Sequence, residues 1–483
     1  MIYISFYFYL FVAVLLGIYY AMPLRYRWIC LLLGSLAFYY RLSQKGFGIF
    51  AVTLLLSYFM GIFLEYMQET EKNPQVKKWI PVAFALLISL PLILTKHGDF
   101  VLKSLLHKAS YPWIVPLGLS FYTMQTIAYL VDISKGKIKA QKNPGKYILF
   151  VCFFPQIVQG PIPRYQELSA TLYEGHPFNE REFCKGFHLI LWGFFLKLMV
   201  ADKASIVVNT IFDGWQAYHG FYVLVGGILY SIQLYADFSS CVCLARGTAA
   251  LFGISLAENF RRPYLAESVK DFWGRWHISL STWLRDYIYI PLGGNRKGKW
   301  RKYIHILITF TVSGLWHGSG YKYIFWGWMH AAYQIFGELS KTWQGRIYSW
   351  LGMAEKRRCR RYCQRAGTFF WIMLSWIIFR ASGLKRGLSM LYGMFTVWNP
   401  WIFFDDSLLR LGLSWKEWGI LLLSIYVLWQ VDIHQERLCI RDKILEQPLV
   451  IRWGIYLGAI AVIWVFGTYG FGFDAKAFIY GGF

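Results

Sequence analysis

Apolar residues run along this chain in blocks of bilayer length. The first, MIYISFYFYLFVAVLLGIYYAMPLRYR, carries no charge before Arg25. It lacks a basic leading region and a small-residue cleavage site, so it reads as a first span and not as a removed leader. A helix needs about 20 apolar residues to cross a bilayer. The pattern predicts spans near 2–22, 28–41, 47–66, 79–96 and 112–132, the second short enough to be tilted or partly re-entrant. The next run, YILFVCFFPQIVQGPIPRY, is broken by Pro155, Gly160, Pro161 and Pro163. It predicts a short helix that enters the membrane and turns, its loose backbone buried in protein or lining a wet cavity.

Long helical runs follow at 183–212 and 220–253, then an amphipathic stretch at 268–291. That stretch is too polar for a simple span and too aromatic for a solvated loop. As one helix it sets Trp273, Trp276 and Leu280 on one face and Arg275, Ser279 and Thr282 on another. Pro291 to Asn295 ends it with turn residues. Spans resume near 303–317, 322–340, 366–381, 387–398, 415–432 and 452–473. The fold class expected is all-α integral membrane, with roughly eleven or twelve transmembrane helices and re-entrant pieces between them. No internal repeat, soluble domain or flexible linker interrupts it. A single domain over 1–483 is expected: N-terminal spans to 147, a motif-bearing core at 148–340, and a basic loop with C-terminal spans over 341–483.

Composition supports the bilayer. Hydrophobic residues make up 57% of the chain and charged ones 16%, against about 25% charged in soluble domains. The 50 Lys and Arg against 26 Asp and Glu leave a net charge of +24. These basic residues lie in short stretches between apolar runs, such as Lys135 to Lys146 and Lys356 to Arg365. That is the pattern of loops facing anionic lipid, and no nucleic-acid partner is expected. Arg25 and Arg27, then Lys72, Lys77 and Lys78, then Lys135 to Lys146 mark alternate loops. By the positive-inside bias those loops are cytoplasmic, the N-terminus lies outside, and the protein is multi-pass in the plasma membrane. Among the eight cysteines, Cys152, Cys184, Cys241 and Cys243 lie in apolar surroundings and read as small buried hydrophobes. Cys359 and Cys363 read as cytoplasmic thiols, with lipidation as the alternative. No metal site or disulfide framework is expected.

Three polar clusters exceed what a scaffold needs. One runs from Asp271 through Arg275, His277, Ser279, Arg285 and Asp286 to Asn295; an interfacial helix with aromatic anchors is its plain alternative. The second is Ser313-Gly-Leu-Trp316-His317-Gly, at the end of an apolar span. An intramembrane histidine there needs a partner or a task, and helix packing is the alternative to chemistry. His330 reads as packing. The third places Gln233 and Asp237 on one helical face, with Arg261, Arg262 or Arg275 as the candidate cation and a structural ion pair as the alternative to catalysis. A neutral histidine suits general-base chemistry on a hydroxyl, and a thioester donor needs neither metal nor ATP.

RWHISLSTWLRDYIYIPLGGNRKG followed by SGLWHG resembles the membrane-bound O-acyltransferase family. FFPQIVQGPIPRY and ENFRRPY resemble flanking motifs of its polysaccharide branch, which acetylates alginate and, more distantly, D-alanylates teichoic acid. The resemblance is tightest over 150–335. It implies a helical ring around a central cavity, where a cytoplasmic donor passage and an outer acceptor funnel meet at a histidine. The essential histidine maps onto His317, as general base, and the second onto His277. Asp237, Gln233, Arg275, Ser279, Arg285, Asp286, Asn295, Trp316 and Ser313 are the expected positioning residues around them. No cofactor is expected to be bound; acetyl-CoA or an acyl-carrier-protein thioester is the co-substrate. Besides membrane lipid, the partners implied are an extracytoplasmic esterase-like protein and a cell-surface polysaccharide acceptor. D-alanyl transfer to teichoic acid from a carrier protein is the alternative; a transporter or an inactive scaffold is the reading of another class. One departure stands out. After Asp237-Phe-Ser239, relatives carry a Gly-Tyr-Ser-Asp-like stretch where this chain has Ser240-Cys241-Val242-Cys243. The second acidic residue is therefore missing.

Overall fold

The computed structural model describes residues 3–104, 106–107, 109, 111, 113–296, 298–353 and 357–469. Regular structure among them is helical, without strands. In chain order the helices are α1 (Phe6–Ala21), α2 (Arg27–Leu42), α3 (Phe47–Thr70), α4 (Pro74–Ser104), α5 (Leu119–Ser134), α6 (Pro144–Cys152), α7 (Tyr165–Leu172), α8 (Glu180–Phe195), α9 (Asp202–Asp213) and α10 (Phe221–Leu251). Then come α11 (Val269–Arg275), α12 (Ile278–Leu284), α13 (Lys299–His317), α14 (Tyr321–Leu339), α15 (Lys341–Trp350), α16 (Arg357–Arg380), α17 (Leu384–Thr396), α18 (Trp415–Gln435), α19 (Ile440–Leu445) and α20 (Leu449–Phe466).

Five stretches among the described residues are long and apolar enough to cross a membrane: Phe47–Thr70, Pro74–Lys103, Glu180–Asp213, Phe221–Leu251 and Leu449–Phe466. The third is α8 and α9 joined through a π-helical turn at Leu196–Ala201. The other predicted spans are also helices, shorter or more polar than these five. The predicted span 452–473 ends as α20 at Phe466; its residues 470–473, like Lys356, lie outside the described residues.

Two compact units divide the described residues: those up to Ile190 with Cys241–Glu258, and Leu191–Ser240 with those from Asn259 onward. In the first, the proline-broken run folds as its composition requires. Asn143 caps α6 through Lys146 N, with Pro144 in the first turn. The helix stops at Cys152, and the Phe150 carbonyl accepts from Gln125 Nε2 at 2.7 Å. Tyr3 donates to the Pro155 carbonyl at 2.9 Å. Phe150, Phe153 and Phe154 are wholly buried, so this turning backbone lies within protein.

The second unit buries Trp276, Trp326 and Trp376 at its centre. Helices α13 and α14 form a tight antiparallel pair, in which Gly314 meets the Tyr323 backbone and Gly327 the Phe310 backbone. The stretch 268–291 is not the one helix its periodicity predicts. α11, capped by Ser268 Oγ on Asp271 N, ends at Arg275, and α12 begins at Ile278. Between them His277 adopts a left-handed conformation, φ 44° and ψ 54°. The cause is pairing with another segment: Ile278 N donates to Asn259 O at 3.0 Å and Arg261 N to Arg275 O at 2.9 Å. These bonds take the place of helical ones across the break.

Candidate active site

The site grows from the break between α11 and α12. A left-handed backbone is costly for a residue with a Cβ and persists only where its surroundings impose it. Here Asn259 imposes it. Its backbone carbonyl holds Ile278 N, while its side-chain Oδ1 accepts from Ser279 N and from Ser279 Oγ, each at 2.9 Å. The same Oδ1 lies 3.3 Å from His277 Nδ1. Asn259 and His277 have no exposed surface. The His277 ring packs edge-on against Phe238 of α10, at 4.8 Å between centroids, and Trp316 of α13, at 5.8 Å. His277 lies outside the membrane-spanning stretches, and burial pushes its pKa down to about 3, so it is neutral.

His317 is the last residue of α13. It is buried among edge-on rings: Trp316 at 4.9 Å, Trp326 of α14 at 5.0 Å and Phe379 of α16 at 5.5 Å. Trp316 thus touches both imidazoles, and Ser279 shares the Asn259 side chain with His277. Ser313 lies one turn before His317 on α13, its buried Oγ without a hydrogen-bond partner among the described residues.

The other expected positioning residues have contacts of their own. Asp237 does pair with a cation, but none of the arginines considered: Lys197 Nζ lies 2.7 Å from Asp237 and 2.8 Å from Asp202, all three buried. Lys197 belongs to the π-helical turn, 40 residues upstream of Asp237. Gln233 is buried one turn before Asp237. Arg275 pairs with Asp271 at 2.8 Å and with Glu436 at 3.2 Å. Arg285 pairs with Asp286 at 2.8 Å, with the arginine side chain 59% exposed, and Asn295 hydrogen-bonds Tyr289. Of these contacts, Arg275–Asp271, Arg285–Asp286 and Tyr289–Asn295 are local, whereas Glu436 reaches Arg275 from α18's C-terminal end. His330 is structural, as read from the sequence. Trp273 Nε1 donates to its Nδ1 at 3.2 Å, which leaves Nε2 to bond Ser375 Oγ at 3.0 Å, so both ring nitrogens are used.

All these residues from Gln233 to His317 fall within 139–384, the segment that matches the membrane-bound O-acyltransferase family. The chain belongs to that family. A probable alginate O-acetylase AlgI of Pseudomonas fluorescens is 32% identical over 398 residues, covering 80% of this chain and 74% of its own length. The peptidoglycan O-acetyltransferase of Helicobacter pylori is 31% identical over 402 residues, 75% of this chain and 73% of that one. The teichoic acid D-alanyltransferase of Bacillus subtilis is 30% identical over 277 residues, 54% of this chain and 68% of that one. Membership makes the chain a membrane-bound acyltransferase that acts in polysaccharide O-acylation.

Within the family's pattern, the departure at 240–243 is a packing feature here. Ser240 Oγ donates to Gly193 O at 2.7 Å, and Cys241 Sγ lies 2.9 Å from Gln159 Oε1. Ser240, Cys241 and Cys243 are all buried. Sequence reasoning missed Asn259, Lys197, Phe238, Trp326 and Phe379. A lone lysine inside the apolar run FFLKLMV was a usable signal for Lys197. Asn259 stands in the ENFRRPY motif, but nothing local to it points to His277, 18 residues on.

Proposed function

We propose that the chain takes an acyl group, acetyl in the first instance, from a cytoplasmic thioester and passes it across the membrane to hydroxyls of an extracytoplasmic cell-surface polysaccharide. His317 is the general base. The observation that carries this reading is the pair of buried imidazoles, His277 and His317, both packed against Trp316. His317 takes the proton of the acceptor hydroxyl as its oxygen attacks the thioester carbonyl. The tetrahedral adduct then collapses, the C–S bond breaks, and the departing thiolate takes the proton from the imidazolium. That imidazolium forms in the last turn of α13, where the helix dipole favours positive charge by about 0.3–1 kcal/mol. The rings of Trp316, Trp326 and Phe379 keep water from the adduct.

Acetyl-CoA and an acyl-carrier-protein thioester are both acidic donors suited to a basic cytoplasmic face. An extracytoplasmic esterase-like partner completes delivery to the polymer. The alginate and peptidoglycan relatives favour acetyl; the D-alanyl relative, matched over 54% of this chain, supports the carrier-protein alternative less. The test uses purified protein in nanodiscs, with labelled acetyl-CoA or acetyl-carrier protein, and follows thioester loss. Turnover with either donor that disappears in His317→Ala is expected. Undiminished turnover in His317→Ala removes the general-base role, and turnover with the carrier protein alone removes acetyl-CoA as donor.

A further inference from the structure

We propose that Asn259 is a positioning residue that fixes His277 as the tautomer protonated on Nδ1, leaving Nε2 to accept a hydrogen bond from a hydroxyl of the acceptor. The proposal rests on the reading of His277 as part of the transfer site. The orientation of the Asn259 amide follows from its partners. Ser279 N can only donate, so the atom 2.9 Å from it is the amide oxygen, Oδ1. That oxygen can only accept, so His277 Nδ1, at 3.3 Å, carries the proton. A neutral imidazole has one N–H, and full burial keeps this ring neutral. Nε2 therefore presents a lone pair. It is buried, with no hydrogen-bond partner among the described residues, and an unpaired buried polar atom is rare enough to point to a functional role.

Phe238 and Trp316 pack edge-on against the imidazole, and besides Asn259 the acceptor at the ring is the backbone of His277 itself. Asn259 also holds Ile278 N through its backbone carbonyl, so one residue fixes both the strained backbone and the ring. The chemical consequence is specific. With Nδ1 engaged and Nε2 bare, neutral His277 has no proton to offer a thioester carbonyl. It serves the hydroxyl side of the reaction and not the oxyanion.

The deciding measurement is solid-state NMR on the full chain in nanodiscs with isotope-labelled histidine. Loss of signals in His277→Gln assigns that ring, and correlation of each nitrogen with Cγ or Cδ2 tells Nδ1 from Nε2. A proton on Nδ1 in the wild type is expected; a proton on Nε2 overturns the proposal, whether or not any variant folds. Asn259→Leu removes the acceptor. It should mix the tautomers and lower kcat by roughly 10–100-fold, by analogy with partners that orient metal-bound histidines. Asn259→Asp keeps the acceptor oxygen and should restore the Nδ1–H tautomer and part of kcat. An unchanged tautomer and kcat in Asn259→Leu also overturns the proposal. Undiminished turnover in His277→Gln overturns the role of Nε2 and removes His277 from the site, a failure separate from the tautomer result.

Discussion

Lys197 shows how much one buried side chain carries. Its ammonium lies between Asp202 and Asp237 at 2.8 and 2.7 Å, with the three side chains almost without exposed surface. Removing one partner of a buried ion pair costs about 3–5 kcal/mol, because the charge left behind has no water to return to. Lys197→Met leaves two carboxylates facing each other and should lower thermal stability in detergent sharply. Asp237→Asn leaves a neutral Lys197–Asp202 pair and should cost much less. Equal losses would show that the lysine acts through its packing and not its charge. At this scale the sequence was readable where polarity was out of place. His277, His317, Trp316 and Ser279 stood out from apolar surroundings, and they meet. Partners distant along the chain were not readable: Asp237 finds its cation in α10's distant neighbour Lys197, and Asn259 becomes a clamp only once 259–261 pairs with 275–278.

Among the elements, the broken stretch 268–291 is the most instructive. Its apolar positions recur at helical spacing on both sides of the break, so periodicity alone joins α11 to α12. What divides them is a left-handed histidine, and no local sequence rule asks a non-glycine residue to adopt that shape. The pair α13 and α14 is the opposite case, since small residues announce close packing. A Cβ at Gly314 would stand 2.2 Å from the Tyr323 carbonyl oxygen, and one at Gly327 2.3 Å from that of Phe310. Backbone on the far side leaves no flexible atom to yield. Gly327→Ala should therefore destabilise by about 1–3 kcal/mol through overpacking. It should also lower turnover, because the displaced helix carries His317. Gly337→Ala on the same α14, with nothing within 4 Å of the added carbon, should be neutral or stabilising by about 0.5–1 kcal/mol. Thermal unfolding of the two variants side by side checks the contrast, and matched melting temperatures would exclude close packing as the reason for Gly327.

For the molecule as a whole, apolar blocks and charge placement made the membrane class and the helical fold legible, because a bilayer accepts little else. Span count was less legible. Helices such as α16 and α18 mix polar and apolar residues along their length, so apolar length alone does not say which cross. The basic stretches supply an independent constraint on topology. If positive charge marks the cytoplasmic side, the stretch from Arg357 to Arg365 faces the cytoplasm together with Cys359 and Cys363. Both thiols are exposed, as is Cys439, whereas Cys30, Cys152, Cys241 and Cys243 are buried and Cys184, expected to be buried, is only partly so. In a Cys184→Ser, Cys439→Ser background, a membrane-impermeant maleimide should label inverted vesicles and not intact cells, and the signal should disappear when Cys359 and Cys363 become serine. The charge that sets this orientation is also the charge that would gather an acidic thioester donor, so the two properties stand or fall together. Labelling of intact cells would place the basic stretch outside. The donor would then have to approach the membrane against the orientation that the lysines and arginines encode, and the cytoplasmic origin of the acyl group would have to be abandoned with it.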